Sequence, residues 1–382
     1  MTYDLAVVGG GILGLAHAWQ GARAGLRVAV FERGTVANGA SVRNFGMLAI
    51  VAQRPGPELD SARATLDAWR EVAAGAGLTL RQAGCLFVAR QPEEMAVLAE
   101  CSVGADAHGQ DFTLLDGAGV HESAAGLNAG ALGGLYSPDA WKVDQRGALA
   151  AITAWLAREF GVTFHFGAEV CEAADGRIVT ADSKWRAEHI VICGGDDFAR
   201  LHPNAWRETS VTTCRLQMLR TAPQPADWRL GPFVLGGLSL ARYSAFADCA
   251  SLPALKTHQA AHQADALAHG VHIIAAQEAD GSVTLGDSHH YGAGAAPDYP
   301  AQVDDLIMNA LDQVLTLPDR RIAERWVGNY AYMPGHSSLR LTPAPGVTAV
   351  TVTNGQGMTH SFQLAKETIQ TITGWAVQSC VS

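Results

Sequence analysis

Residues 3–14 read Y-D-L-A-V-V-G-G-G-I-L-G, and the reading of this stretch decides the fold. The apolar run from Tyr3 to Val8 predicts a strand buried on both faces. Ile12 to Ala24 predicts a helix stopped by Gly25, and Arg27 to Glu32 (R-V-A-V-F-E) a second strand. Strand, glycine turn, helix and strand within about thirty residues make a βαβ unit. Gly9, Gly11 and Gly14 occupy the G-x-G-x-x-G positions at the strand-to-helix junction, the context in which that spacing has meaning. The first glycine permits the tight turn, the second lets a pyrophosphate approach the backbone, and the third allows close packing of helix on strand. The helix start at Ile12 and Leu13 offers N–H groups and positive dipole to phosphates. Glu32, at the end of the second strand and followed by Arg33, is placed to accept hydrogen bonds from ribose hydroxyls. A carboxylate there repels a 2′-phosphate, which disfavours NADP and leaves FAD or NAD.

Working outward, Pro57 to Gly75 and Pro92 to Glu100 read as helices, and Leu78 to Arg90 as a strand pair or bent strand about Gly84. The glycine- and alanine-rich stretch up to Tyr136 reads as loop or short strand. Asp144 caps a helix running to Phe160, and strands are expected at Val162 to Phe166, Glu169 to Ala173, Arg177 to Thr180 and His189 to Cys193. Leu252 to His269 reads as one helix closed by Gly270. Val271 to Ala276 and Ser282 to Leu285 form a hairpin, and Gly346 to Val352 is a last strand before N-G-Q-G-M-T and a helix through Ile372.

Composition narrows the function classes. The chain has 382 residues, 48% of them hydrophobic, and 41 glycines without a three-residue period, so disorder and collagen are excluded. A formal charge of −10 argues against a broad nucleic-acid or anionic-membrane face while allowing a local basic pocket. The seven cysteines, at 85, 101, 171, 193, 214, 249 and 380, show no C-x-x-C pair or zinc spacing and are expected to be buried free thiols in a reducing compartment. The first strand begins at Tyr3 without a basic leader, and no apolar run is long enough to span a bilayer, so the expectation is a soluble cytoplasmic protein.

Two further segments carry a resemblance. After Glu32 comes R-G-T-V-A-N-G-A-S-V-R-N-F-G-M-L, and near the C-terminus T-N-G-Q-G-M-T-H-S. With Asp144, Gly194-Gly195 and Arg325-Trp326-Val327-Gly328 in order between them, the chain resembles the D-amino-acid oxidase family of flavoproteins, which includes glycine and sarcosine oxidases. The resemblance implies an α/β fold. A doubly wound FAD-binding domain of the GR2 type is expected from residues 1–80, 141–206 and 325–382, and a second α+β substrate domain on an antiparallel sheet from 81–140 and 207–324. It also implies FAD contacts at Ser41, Arg43, Asn44, Gly46 and Met47 along pyrophosphate and ring, at Val170 beside adenine, and at Gly195. Gln356, Gly357, Met358 and Thr359 would form a helix N-terminus at the flavin pyrimidine, where reduction leaves negative charge. No cysteine lies between Cys249 and Cys380, where sarcosine oxidases carry their flavin-linking thiol, so FAD is expected to be non-covalent.

At the substrate end, family members acting on α-amino acids carry W-x-G-x-R, whereas this chain reads Trp326-Val327-Gly328-Asn329-Tyr330. A phenol can hydrogen-bond an anion but cannot neutralise it, which disfavours an ordinary α-amino acid. S-V-R-N-F-G-M, W-x-G-x-Y and the run G-D-S-H-H-Y at 286–291 are similar to a clade associated with aminophosphonate catabolism. That implies oxidation of a small primary or secondary amine such as 2-aminoethylphosphonate or its N-methyl derivative, by hydride transfer to flavin N5, with dioxygen or another acceptor taking the electrons. A phosphonate dianion wants several donors and a cation, and the candidates are Arg43, Gln53, Arg242, Tyr243, His289 and Tyr330. No side chain need act as base if the amine binds deprotonated. The alternatives are a glycine, sarcosine or D-amino-acid oxidase in which Arg43 or Arg242 supplies the missing cation, and a non-catalytic binding protein on the same fold. No metal site is expected: His258 and His262 lack a third ligand, and His289-His290 is not a metal motif.

Overall fold

In the computed structural model, which describes residues 2–292 and 300–374, the opening strand Thr2–Val8 lies at the centre of an eight-stranded sheet. It pairs in parallel with Lys184–Ile192 on one side and Val28–Glu32 on the other, and Val28–Glu32 pairs in parallel with Thr163–Phe166. Val347–Val352 joins in parallel beside Ile190–Ile192, with Ser338–Ala344 antiparallel to it. Arg177–Thr180 and Val170–Ala174 continue as an antiparallel meander. The first strand is buried on both faces because its alternate residues feed two cores: Leu5 and Val7 one, Ala6 and Val8 the other.

Helices Ile12–Arg23, Pro57–Ala76, Gln145–Phe160 and Gly357–Thr373 supply the first of those cores. Phe362 sits edge-on to both Trp19 and Trp69, with ring centroids 5.4 and 5.2 Å apart. The expected caps are present: Asp144 accepts from the Arg146 N–H, and Gly161 adopts a left-handed conformation.

A nine-stranded, mostly antiparallel sheet forms the second layer. Its order runs His290–Tyr291, Thr212–Thr221, Val283–Gly286, Ile274–Gln277, Phe233–Leu235, Cys85–Ala89, Gly133–Ser137 and Thr113–Asp116, and Ile322–Tyr332 pairs along Thr212–Thr221. Met47–Leu48, Trp141–Lys142 and Arg81–Gln82 make a small sheet of their own.

The structure differs from the sequence expectations at several points. The boundary at 325 falls inside the strand Ile322–Tyr332, so residues 325–332 belong to the second sheet. The helix expected over 252–269 is two, Leu252–His262 and Ala264–Ala268, interrupted at Gln263. The glycine-rich stretch before Tyr136 contains a helix, Gly117–Ser123, capped by Asp116. Ala301–Val314 is a further helix that the sequence reading did not assign. Cys85, Cys193 and Cys214 are buried free thiols as expected, but Cys101 and Cys249 are half-buried and Cys171 is exposed; Cys380 lies outside the described residues. Cys171 faces solvent because it sits at a bulge in the strand, between the buried Val170 and the exposed Glu172.

Two histidines inside the helical layer make stability pH-dependent. His17 Nδ1 donates to the Leu13 carbonyl at 2.7 Å, and His360 Nε2 donates to Gln53 Oε1 at 3.1 Å. Burial pushes each imidazole down to about 4. The unfolded chain therefore binds more protons than the folded one between that value and about 6.5, so stability is full above about 6.5 and is lost as pH falls toward 4. Chemical denaturation across this range is expected to show a slope of up to about 1.4 kcal/mol per pH unit from each histidine. In His360→Gln that slope should be reduced.

Candidate active site

The C-terminal ends of the parallel strands open into a cavity of about 970 Å³ that extends to the second sheet. At one end Val8 pairs with both Ile192 and Phe31, so the glycine turn emerges between the tips of two neighbouring strands. Gly9, Gly11, Ile12, Leu13, Glu32, Arg33, Ser41, Arg43, Asn44, Val170 and Gly195 all line this cavity. Glu32 spans the turn: Oε2 accepts from the Gly10 N–H and Oε1 from the Gly34 N–H, both at 2.8 Å. Ser41 Oγ accepts from the Ile12 N–H at 3.0 Å, touching the dipole-bearing start of the helix. Arg33 and Arg200 both pair with Asp197 on the cavity rim.

Farther along, Gln356, Gly357 and Met358 line the cavity at the start of the last helix. The Gln356 N–H donates to Asn354 Oδ1 and the Thr359 N–H to the Gln356 carbonyl, leaving those of Gly357 and Met358 unpartnered among the described residues. Such first-turn groups stabilise negative charge.

Five of the expected site residues stand outside the cavity lining, each for a packing reason. A Cβ at Gly14 would strike the Gly9 carbonyl, so this glycine serves helix-on-turn packing. Gly46, with φ +65°, is likewise pressed against the Val143 carbonyl. Met47 pairs with Lys142 in the small sheet. Thr359 Oγ1 accepts from the Ala49 N–H at 3.0 Å. Gln53 is 1% exposed; its Nε2 donates to the Ala49 carbonyl and to Gln356 Oε1, so it positions Gln356 rather than facing a ligand. Lys142 reinforces the same region: its ammonium donates to the Phe45 carbonyl at 2.8 Å and pairs with Glu278 at 3.0 Å, both buried.

The expected substrate groups divide on contact. Arg43 donates to the Asn38 and Val327 carbonyls, and Asn44 to those of Ala40 and Ser41, so both fasten their own loop even though they line the cavity. Arg242, Tyr243, His289 and Tyr330 come together on the opposite wall. Arg242 donates to Tyr330 Oη at 3.0 Å and to Tyr291 Oη at 2.8 Å. Burial raises the Tyr243 and Tyr330 phenols, keeping both as O–H donors. The Tyr330 ring lies on Gly355, where a Cβ would be 3.1 Å from it, so this cluster abuts the Asn354–Met358 turn. The fold also gathers Tyr291, Asp287 and His272 here, which were not singled out from the sequence. Asp287 and Tyr291 lie in the quoted run at 286–291, but nothing linear links them to His272 on the neighbouring strand end.

Fold and site together define a dinucleotide-binding protein whose cavity is walled by a second sheet. The chain matches the family described as FAD dependent oxidoreductase (DAO) over residues 4–371, and it belongs to that family. It is 30% identical to a glycine oxidase of Geobacillus kaustophilus over 212 residues, which are 52% of this chain and 56% of that one, so the match spans about half the relative's length. Among solved structures it is similar to glycine oxidase from Geobacillus kaustophilus, with a TM-score of 0.78 at 19% identity over 98% of this chain and 96% of that one. It is also similar to L-proline dehydrogenase from P. horikoshii, with a TM-score of 0.76 at 18% identity over 99% and 95% of the two chains. Among the described residues no helix is long and apolar enough to cross a membrane.

The cofactor of this family is FAD, and the residues fit it. The cavity joins a glycine turn bridged by the Glu32 carboxylate to a helix N-terminus with two N–H groups unpartnered among the described residues. Glu32→Ala is expected to weaken FAD binding roughly 10- to 100-fold, since hydrogen bonds to charged groups contribute about 1.5–3 kcal/mol, without altering substrate preference. Fluorescence titration of apoprotein with FAD measures it, and unchanged affinity would remove Glu32 from the ribose site.

Proposed function

We propose that this protein oxidises the carbon–nitrogen bond of a small amine bearing a phosphonate, such as 2-aminoethylphosphonate or its N-methyl derivative. The observation that carries this reading is Arg242, held between the Tyr330 and Tyr291 hydroxyls on the cavity wall that abuts the last helix. A guanidinium with the Tyr330, Tyr291 and Tyr243 phenols around it offers the donors and the cation that a phosphonate dianion requires. FAD held along the glycine turn and the last helix supplies the hydride acceptor. The chain's own part is to seat the anion at Arg242, aim the amine carbon toward the Gly357 and Met358 end, and exclude water with the apolar lining of Leu216, Met218 and Ile274. We further propose that FAD is held non-covalently and that the electrons pass to dioxygen or another acceptor.

A second reading, oxidation of glycine, sarcosine or another small amino acid, is favoured by the glycine oxidase relative. One experiment separates the two. Under anaerobic conditions N-methyl-2-aminoethylphosphonate should bleach the flavin absorbance at concentrations where sarcosine does not; the reverse order would select the amino acid. Acid precipitation of the yellow protein should release all of its flavin into the supernatant. A colourless protein that fails to bind added FAD would instead favour a non-catalytic binding role.

A further inference from the structure

We propose that His272, Asp287 and His289 form a binding site for a divalent first-row transition metal ion of the zinc class, in the wall of the cavity. The hairpin builds it: Ile274 pairs with Gly286 across two antiparallel strands, so His272 just before one strand meets Asp287 and His289 just after the other. All three are buried, with 3%, 5% and 5% of their surfaces exposed, and their ligand atoms lie within 4.8 Å of one another.

The hydrogen bonds around the cluster fix which nitrogen is free. His289 Nδ1 is 3.0 Å from the Gly270 carbonyl, which can only accept, so Nδ1 carries the hydrogen and Nε2 presents a lone pair. That lone pair faces Asp287 Oδ2 at 3.5 Å. Ser239 Oγ donates to the Ile273 carbonyl and therefore accepts from His272 Nδ1 at 3.0 Å. His272 Nε2 is thereby also left as a lone pair, 3.0 Å from Asp287 Oδ1, and that buried oxygen has no aligned hydrogen-bond donor. Two imidazole lone pairs and a carboxylate facing one another away from water repel unless a cation lies between them. The other neutral tautomer of His272 would turn its Nε2–H toward Asp287 Oδ1, but that contact is not aligned as a hydrogen bond, and protonating both rings would set two imidazolium ions beside the Arg242 guanidinium in the same wall. The outer nitrogens held by a carbonyl and by a hydroxyl are the arrangement that orients metal-binding histidines. Two nitrogens and a carboxylate suit zinc, at about 2.0–2.2 Å from each ligand. The ligand atoms close by about half an ångström to reach it, since two such bonds span at most about 4.2 Å. Remaining coordination positions would open toward the cavity that these three residues line.

The site is tested on the FAD-loaded protein, stripped with EDTA and equilibrated with zinc alone by dialysis. The expected result is one zinc per chain, with binding weakened more than about 100-fold in Asp287→Asn and about 10- to 100-fold in Ser239→Ala, which removes only a supporting partner. Flavin content and far-ultraviolet dichroism establish that the variants are folded. X-ray absorption at the zinc edge of the unaltered protein should show two imidazole nitrogens and carboxylate oxygen. Less than stoichiometric zinc, a coordination shell lacking imidazole, or full binding retained by Asp287→Asn would each overturn the proposal, the last by assigning the ion elsewhere, as to the half-buried His258 and exposed His262.

Discussion

Replacing Arg242 by leucine is expected to lower kcat/KM for an aminophosphonate substrate by roughly 30- to 5,000-fold while leaving flavin content at the wild-type level. Truncating one partner of a buried, hydrogen-bonded charge pair costs about 2–5 kcal/mol, much of it because the other charge is left desolvated and unpaired. The other expected anion-binding groups are engaged or neutral: Arg43 fastens the 38–44 loop to Val327, and Tyr330 is a phenol. Arg242→Lys should recover part of the loss, because an ammonium restores the charge but not the paired contacts to Tyr330 and Tyr291. Tyr330→Phe removes one neutral donor and should cost only about 2- to 13-fold, in line with about 0.5–1.5 kcal/mol for such a bond. Steady-state kinetics paired with anaerobic flavin titration measures all three. An Arg242→Leu enzyme with unchanged kcat/KM would take Arg242 out of the substrate site and return the anion to Arg43.

Gly9→Ala is expected to destabilise the protein by about 2–6 kcal/mol and to abolish retention of FAD through purification. Two costs of about 1–3 kcal/mol each combine: a left-handed backbone imposed on a residue with a Cβ, and overpacking against fixed atoms. Gly9 has φ +108°, and its Cβ would land on the Cys193 carbonyl oxygen. Neither neighbour can withdraw, since the Gly9 N–H donates to the Phe31 carbonyl at 2.8 Å and the Cys193 N–H to the Val8 carbonyl at 2.7 Å. Denaturant unfolding and the ratio of flavin to protein absorbance read the outcome. Retention of both stability and flavin would show that the turn has room the present geometry denies. Gly104→Ala serves as the control: nothing lies within 4 Å of its added Cβ, its φ of −94° is ordinary and it stands outside the cavity lining, so stability and flavin content should stay near wild type.

The nucleotide end of the cavity was legible because its determinants are local. The turn, the helix start and Glu32 fall within the first thirty-odd residues, and the strand pairing that joins them is imposed by a short βαβ connection. The substrate end was legible only in part. Tyr330 in place of arginine was visible in the sequence, yet Arg242 could not be ranked above Arg43, because the two differ in their partners and not in their chemistry. Gln53 illustrates the opposite error: a polar residue near a ligand-binding segment reads as a donor, while the fold uses it to hold Gln356 and His360. Gly46 was expected as a flavin contact, and the atoms that forbid a side chain there belong to Val143 and Gln145.

By itself, then, the sequence determined the dinucleotide-binding fold and, through the family it resembles, the cofactor, because a glycine turn between a buried strand and a helix is a local steric requirement that few other residues meet. Tertiary structure alone decided which charged side chains face the cavity. Arg242 arrives from one loop, His272 and Asp287 from two ends of a hairpin, and Tyr330 from a strand some ninety residues beyond Arg242, paired across Thr212–Thr221. Their meeting depends on long-range strand register, and a shift of one residue would turn Tyr330 to the other face of the sheet.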